Sequence, residues 1–257
     1  MLQAWTDNLA GSLLVLARVA GIFSVAPILG HARVPAQVRI ILSVGLTMAV
    51  APLAGAGQEL QMSRMEYVAL LAREAAIGLA IGYLSVLLIS AAQTAGELVD
   101  HEIGFGLSGI VDPVTNNQMP VIARFLQMFA TMVFLVSGAH HWLIRALADS
   151  YRVIGPGADA DLARAAEPVT AVFVTVFLTA LKIAGPILGV LLLCDICLGL
   201  VARTTPQLNL LMVGFPVKIG IGVAAVLVAL PVIGVVLARL MTGIYGDAMA
   251  LARAMGG

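Results

Sequence analysis

The sequence predicts an all-α, membrane-associated protein of about six apolar helical segments, several of them kinked and paired as hairpins. Composition is the first reason. Hydrophobic residues make up 61% of the 257-residue chain and charged residues only 11%, whereas soluble domains carry about 25% charged residues. So little charge cannot solvate the surface of a compact globule. The second reason is the run from Val169 to Ala202, uncharged except for Lys182 and Asp195. As one helix it would be roughly 50 Å long, against a hydrocarbon core of about 30 Å. The third is Gly185-Pro186 near its middle, where a missing backbone donor predicts a kink or break. A charge at a membrane helix centre costs roughly 2.5–3.5 kcal/mol, so Lys182 and Asp195 are expected to face protein. Formal net charge is zero and only two lysines occur, so the chain lacks the basic footprint of a nucleic-acid binder.

In chain order, the first apolar segment is Leu9 to Leu29, with Arg18 in its middle. That position is too central for snorkelling and predicts a buried cation with a carboxylate partner. No basic n-region precedes it, and Arg18 interrupts the run, so a cleaved signal peptide is not expected. Gly30 to Pro35 forms a turn, Ile40 to Ala51 a second apolar helix ending near Pro52, and Gly55 to Ser63 a loop. Ala75 to Gly96 is uncharged and contains Gly78-Leu79-Ala80-Ile81-Gly82. Glycines four apart either seat a neighbouring helix closely or simply reflect a glycine-rich membrane composition.

Charge then concentrates at Glu97, Asp100, His101 and Glu102, ahead of a glycine-rich stretch. Residues 104–109 match G-x-G-x-x-G, but no strand precedes them and Asp112-Pro113 stands where a helix should run, which excludes a dinucleotide site. The stretch carries Phe105, Leu107, Ile110, Val111 and Met119, apolar side chains that need dry surroundings, together with Gly104, Gly106 and Gly109, which permit tight turns. The three acids form a polar collar at its base or a contact to neighbours. Phe125 to Ile144 is the next apolar segment, ending in Gly138-Ala139-His140-His141-Trp142; adjacent histidines point to different faces and suit an interface better than a metal. Arg145 to Glu167 is the most polar connection. After the long run, Pro216-Val217-Lys218 leads into Ile219 to Ala238, kinked at Pro231, and a short tail runs from Arg239 to Gly257.

Asp195 and Arg203 are separated by about 12 Å of helix, so they cannot simply satisfy one another. Arg18, Lys182, Asp195 and Arg203 therefore need partners, some of them on neighbouring subunits. Cys194 and Cys197 form a C-x-x-C without further ligands and read as buried small residues on a helix face. Trp5, Tyr67, Trp142, Tyr151 and Tyr245 lie near segment ends, as interfacial anchors do. No Walker sequence, H-E-x-x-H, nucleophile elbow or paired catalytic carboxylates can be found. The sequence offers no enzyme, cofactor or metal site.

Several patterns together resemble the FliR family of flagellar export-gate proteins and its SctT relatives in virulence secretion. They are Ala17-Arg18-Val19-Ala20-Gly21 with Ala26-Pro27 and Val34-Pro35; Gly96-Glu97 with Asp100; Gly104-Phe105 with Asp112-Pro113; and Gly138-x-His140. Asp195-x-x-Leu198-Gly199-Leu200, Arg203, and Pro206-Gln207-Leu208-Asn209 followed by Gly214, Pro216 and Lys218 complete the set. The resemblance implies one copy in a helical channel with FliP-like and FliQ-like subunits, contacted by FlhB-like and FlhA-like proteins, at the bacterial inner membrane in the flagellar basal body. Residues 1–165 would be FliP-like, with a channel plug at about 104–119 formed by Gly104, Phe105, Gly106, Leu107, Gly109, Ile110, Val111 and Met119. Residues 166–257 would be a FliQ-like hairpin turning at Pro206, Gln207 and Asn209. Arg18, Glu97, Asp100, Lys182, Asp195, Arg203 and Lys218 would make buried charge pairs or assembly contacts. The cargo implied is unfolded flagellar protein, and the surroundings include membrane lipid. A virulence gate is one alternative. A secondary transporter is another: it would use discontinuous helices at Gly185-Pro186 and Pro231, with Lys182 and Asp195 as coupling charges, but it should show an internal repeat and none is visible.

Overall fold

The computed structural model describes residues 9–31, 34–54, 63–104, 120–205 and 210–257, with side chains from 214 onward in the last stretch. Eight α-helices and one 3₁₀ turn occupy the described residues, and none is in a strand. The helices are α1 (Leu9–Val25), α2 (Ala36–Val50), α3 (Arg64–Ile103), α4 (Val121–Val136), α5 (Ala139–Val153), α6 (Ala166–Thr204), α7 (Leu210–Thr242) and α8 (Ile244–Gly256), with the 3₁₀ turn at Leu162–Ala165. By length and composition three stretches suffice to cross a membrane, Arg64–Ile103, Leu162–Thr204 and Gly214–Gly256, and the pair α4–α5 makes a fourth if counted as one bent span. The chain divides into two compact units, one of Met1–Leu88, Leu135–Phe173 and Met241–Gly257, the other of Ile89–Phe134 and Val174–Leu240.

In the first unit α1 lies directly against α3. A Cβ at Gly78 would run into the Arg18 carbonyl, and one at Gly82 would crowd the backbone of Ile22. The glycine pair is therefore a helix seat, which decides the alternative left open by the sequence. Leu14, Ile22, Ile77, Ile81 and Leu84 are wholly buried around this contact. The stretch after Arg239, expected as a tail, is instead mostly helix. Ile244, Leu251, Ala252 and Met255 of α8 are buried, and its last turn packs on Val153 and Ile154. Its apolar residues recur at helical spacing within a segment too short to read as a span.

The second unit holds the α6–α7 hairpin. Gly222 is packed by Ile103 and Leu191, and Gly234 rests on the ring of Phe129. The helices run without interruption through Pro186 in α6 and through Pro216 and Pro231 in α7, so no break occurs at Gly185-Pro186, and α7 begins at Leu210 rather than near Ile219. All three prolines stand on exposed faces. A proline inside a helix removes one hydrogen bond and crowds the carbonyl four residues earlier, which bends a helix more readily than it ends it. The real break falls elsewhere. The segment expected from Phe125 to Ile144 is two helices, divided at Gly138, whose φ of 71° suits glycine.

Candidate functional site

Each unit holds an ionic cluster that ties distant helices together. In the first, Arg18 is wholly buried at the centre of α1. Its Nε donates to Glu74 Oε2 at 2.7 Å, Nη1 to Ser150 Oγ at 3.0 Å, and Nη2 to the Ile154 carbonyl at 3.1 Å. The Tyr151 ring covers the guanidinium at 4.1 Å. Glu74 uses its other oxygen to accept from the Gly157 amide at 2.9 Å. A buried pair is tolerable only when its other polar atoms also find partners, and here each nitrogen of the guanidinium and each oxygen of the carboxylate has one. The cluster joins α1, α3, α5 and the turn after α5.

The carboxylate that the position of Arg18 demanded is thus Glu74, in the same chain. No local pattern announces it: Glu74 stands just before the uncharged stretch and 56 residues from Arg18. Ser150 is equally silent in the sequence. Tyr151, expected as an interfacial anchor, is instead buried and donates its hydroxyl to the Val15 carbonyl at 3.2 Å.

In the second unit Lys218 of α7 bridges two carboxylates. Its Nζ reaches Asp195 Oδ2 of α6 at 2.7 Å and Glu102 Oε1 of α3 at 3.1 Å. This identifies the partner of Asp195, which sequence reasoning required without naming. The three side chains keep some solvent contact, so the attraction is screened relative to the Arg18 pair. Two residues beyond Glu102, Gly104 has φ 99° and lies against the Phe215 ring. That backbone suits glycine. It marks the end of α3 at the start of the expected plug.

The acids before the expected plug segment separate in role. Asp100 is almost wholly buried, and its two oxygens accept from the Ile122 amide at 3.1 Å and the Ala123 amide at 2.7 Å. A carboxylate there satisfies two of the orphan donors at the start of α4 and complements the helix dipole. Gly96 leaves room for this approach, since a Cβ there would run into Ala123. Glu97 is exposed and accepts from Gln93 Nε2 at 2.9 Å. Glu102 holds Lys218.

Lys182 and Arg203 lie on the exposed side of α6 and have no ion-pair partner among the described residues. Cys194 is buried but Cys197 is exposed, which corrects the expectation of two buried cysteines. No His, Cys, Asp and Glu group suited to a metal occurs among the described residues. Phe105, Gly106, Leu107, Gly109, Ile110, Val111 and Met119, with the turn residues Pro206, Gln207 and Asn209, lie outside the described residues.

Comparison with known proteins agrees with the sequence patterns. Residues 9–244 match the family described as bacterial export proteins, family 1. The chain is 31% identical over 230 residues to the flagellar biosynthetic protein FliR of Escherichia coli (strain K12), covering 90% of this chain and 88% of that protein. It is 32% identical over 235 residues to FliR of Bacillus subtilis (strain 168), covering 90% of each. The surface presentation of antigens protein SpaR of Salmonella typhimurium (strain LT2) is 29% identical over 218 residues, 85% of this chain and 82% of SpaR. With a match that runs through both ionic clusters and nearly the whole length, the chain belongs to the FliR family of bacterial export proteins.

Proposed function

We propose that the chain is a structural and gating subunit of the flagellar type III protein export channel. It assembles with FliP-like and FliQ-like subunits and meets FlhB-like and FlhA-like proteins, at the bacterial inner membrane in the flagellar basal body. Residues 1–165 form the FliP-like part and residues 166–257 the FliQ-like hairpin, and the segment at about 104–119 plugs the channel for unfolded cargo.

The observation that carries this reading is the uncovered apolar surface of α6 and α7. In the most apolar window of each span, 61% of residues are buried for α3, against 28% for α6 and 22% for Gly214–Gly256. Lipid cannot cover all of it. The run of α6 from Val169 to Ala202, interrupted only by Lys182 and Asp195, is roughly 50 Å long, and a helix tilted by about 40° keeps only about 39 Å inside a core about 30 Å thick. About 10 Å or more of exposed apolar helix is left for protein to cover. The pattern supports a subunit of a larger helical assembly.

The uninterrupted helices through Pro186 and Pro231 remove the discontinuous helices on which the transporter reading stood. The test is deletion of the coding region in the native host. Loss of export of flagellar proteins and of motility, restored by the re-expressed chain, is expected. Normal flagella with loss of another secreted set would instead favour a virulence gate, for which the similarity to SpaR speaks.

A further inference from the structure

Lys182 differs from the other charges of the apolar helices. Arg18, Asp100, Asp195 and Lys218 have partners inside their own units, whereas Lys182 is exposed and has none among the described residues. Its neighbours on the same helix face are uncharged: Leu178 is 50% exposed, Thr175, Gly185, Pro186 and Gly189 are exposed as well, and the buried Thr179 hydroxyl is already given to the Thr175 carbonyl. Residues three, four and seven apart form one strip of a helix. A Cβ added at Gly185 or Gly189 would meet nothing within 4 Å, so bare backbone lies open beside the ammonium. Pro186 also has no N–H to give to the Lys182 carbonyl four residues earlier.

These features select the cover. In hydrocarbon a carbonyl deprived of its donor finds no substitute, whereas a neighbouring helix can supply one. Glycines on an open face let a second helix backbone approach closely. The complement of a lone ammonium at such a contact is a carboxylate. We propose that this face of α6 receives an apolar helix from another subunit of the export apparatus, and that this helix carries an Asp or Glu side chain paired with Lys182 Nζ. The proposal rests on the reading of the chain as a gate subunit and specifies the chemistry of one partner.

The scarcity of lysine makes the pairing testable. The chain has two lysines, and Lys218 is already held by Asp195 and Glu102. Complex purified after co-expression with FliP-like and FliQ-like subunits is treated with dicyclohexylcarbodiimide, which joins an amine to a carboxylate without a spacer. Linked residues are located by mass spectrometry. An amide from Lys182 to an Asp or Glu of another subunit is expected. Lys182→Arg should assemble normally and lose the adduct. Lys182→Met should lower complex recovery by about a hundredfold or more, the order expected on stranding one member of a buried pair, and neutralising the linked carboxylate in that background should cost little more. Intact complex without an adduct, together with normal assembly of Lys182→Met, would overturn the pairing and leave the gate reading standing. An anionic phospholipid that copurifies with wild type and is lost from Lys182→Met, again without an adduct, would overturn it in favour of a lipid headgroup. Failure of the wild-type chain to assemble with these subunits would overturn the gate reading and the pairing together.

Discussion

At the scale of single residues, the two ionic clusters differ in burial and should differ in consequence. Arg18 and Glu74 have no access to water. Glu74→Ala strands a buried guanidinium and should destabilise the chain by about 3–5 kcal/mol, an effect large enough to abolish recovery of folded protein. Arg18→Lys should not rescue, because an ammonium cannot make the three directed contacts to Glu74, Ser150 and Ile154. Asp195→Asn should be milder, since the Lys218 ammonium keeps Glu102 as a second partner and some water. Detergent-extracted yield and thermal unfolding of the four proteins, wild type included, check the order. Equal losses for Glu74→Ala and Asp195→Asn would refute it. Cys194→Ala and Cys197→Ala should leave export nearly intact.

This scale also shows what a sequence tells and withholds. A cation in the middle of an apolar run announces that a partner exists, because the alternative is too costly. It says nothing of which residue that is. Glu74 and Lys218 are chosen by helix packing over separations of 56 and 23 residues, and no local pattern encodes such distances.

At the scale of elements, close backbone approach fixes α1 on α3. Gly78→Ala should be strongly disruptive, since the added methyl collides with the Arg18 backbone rather than with a movable side chain. Gly45→Ala on the exposed side of α2 meets nothing within 4 Å, and should stabilise its helix by about 0.5–1 kcal/mol. Thermal unfolding of both variants checks the contrast. Helix existence was legible from the long uncharged runs, but helix boundaries were not. Gly185-Pro186 predicted a kink or break, and the helix is not broken there, because one proline removes a single backbone hydrogen bond and the turns on either side hold the rest. The actual division at Gly138 depends on one left-handed backbone conformation, and a glycine in sequence does not reveal its φ. Helix α8 was hidden for another reason: it is short, and its apolar face is matched to α5 rather than to lipid.

At the scale of the whole molecule, apolar helices that their own chain leaves uncovered call for partners, and the proposed plug calls for a separate test. In that proposal the five sizeable apolar side chains of the segment would seal a pore by excluding water. Deleting residues 106–118 should leave the complex assembled but leaky to small ions, with export retained in part. Conductance across membranes carrying the assembled variant is the measure, and a deletion variant as tight as wild type would reduce the segment to an ordinary connection. The central claim, that this chain is completed by other gate subunits, is tested most directly by protease resistance after membrane extraction. The chain is expressed alone and with FliP-like and FliQ-like partners, and its digestion is followed over time. The account predicts rapid cleavage alone and slow cleavage together, in one copurifying complex; equal resistance in the two samples would contradict it.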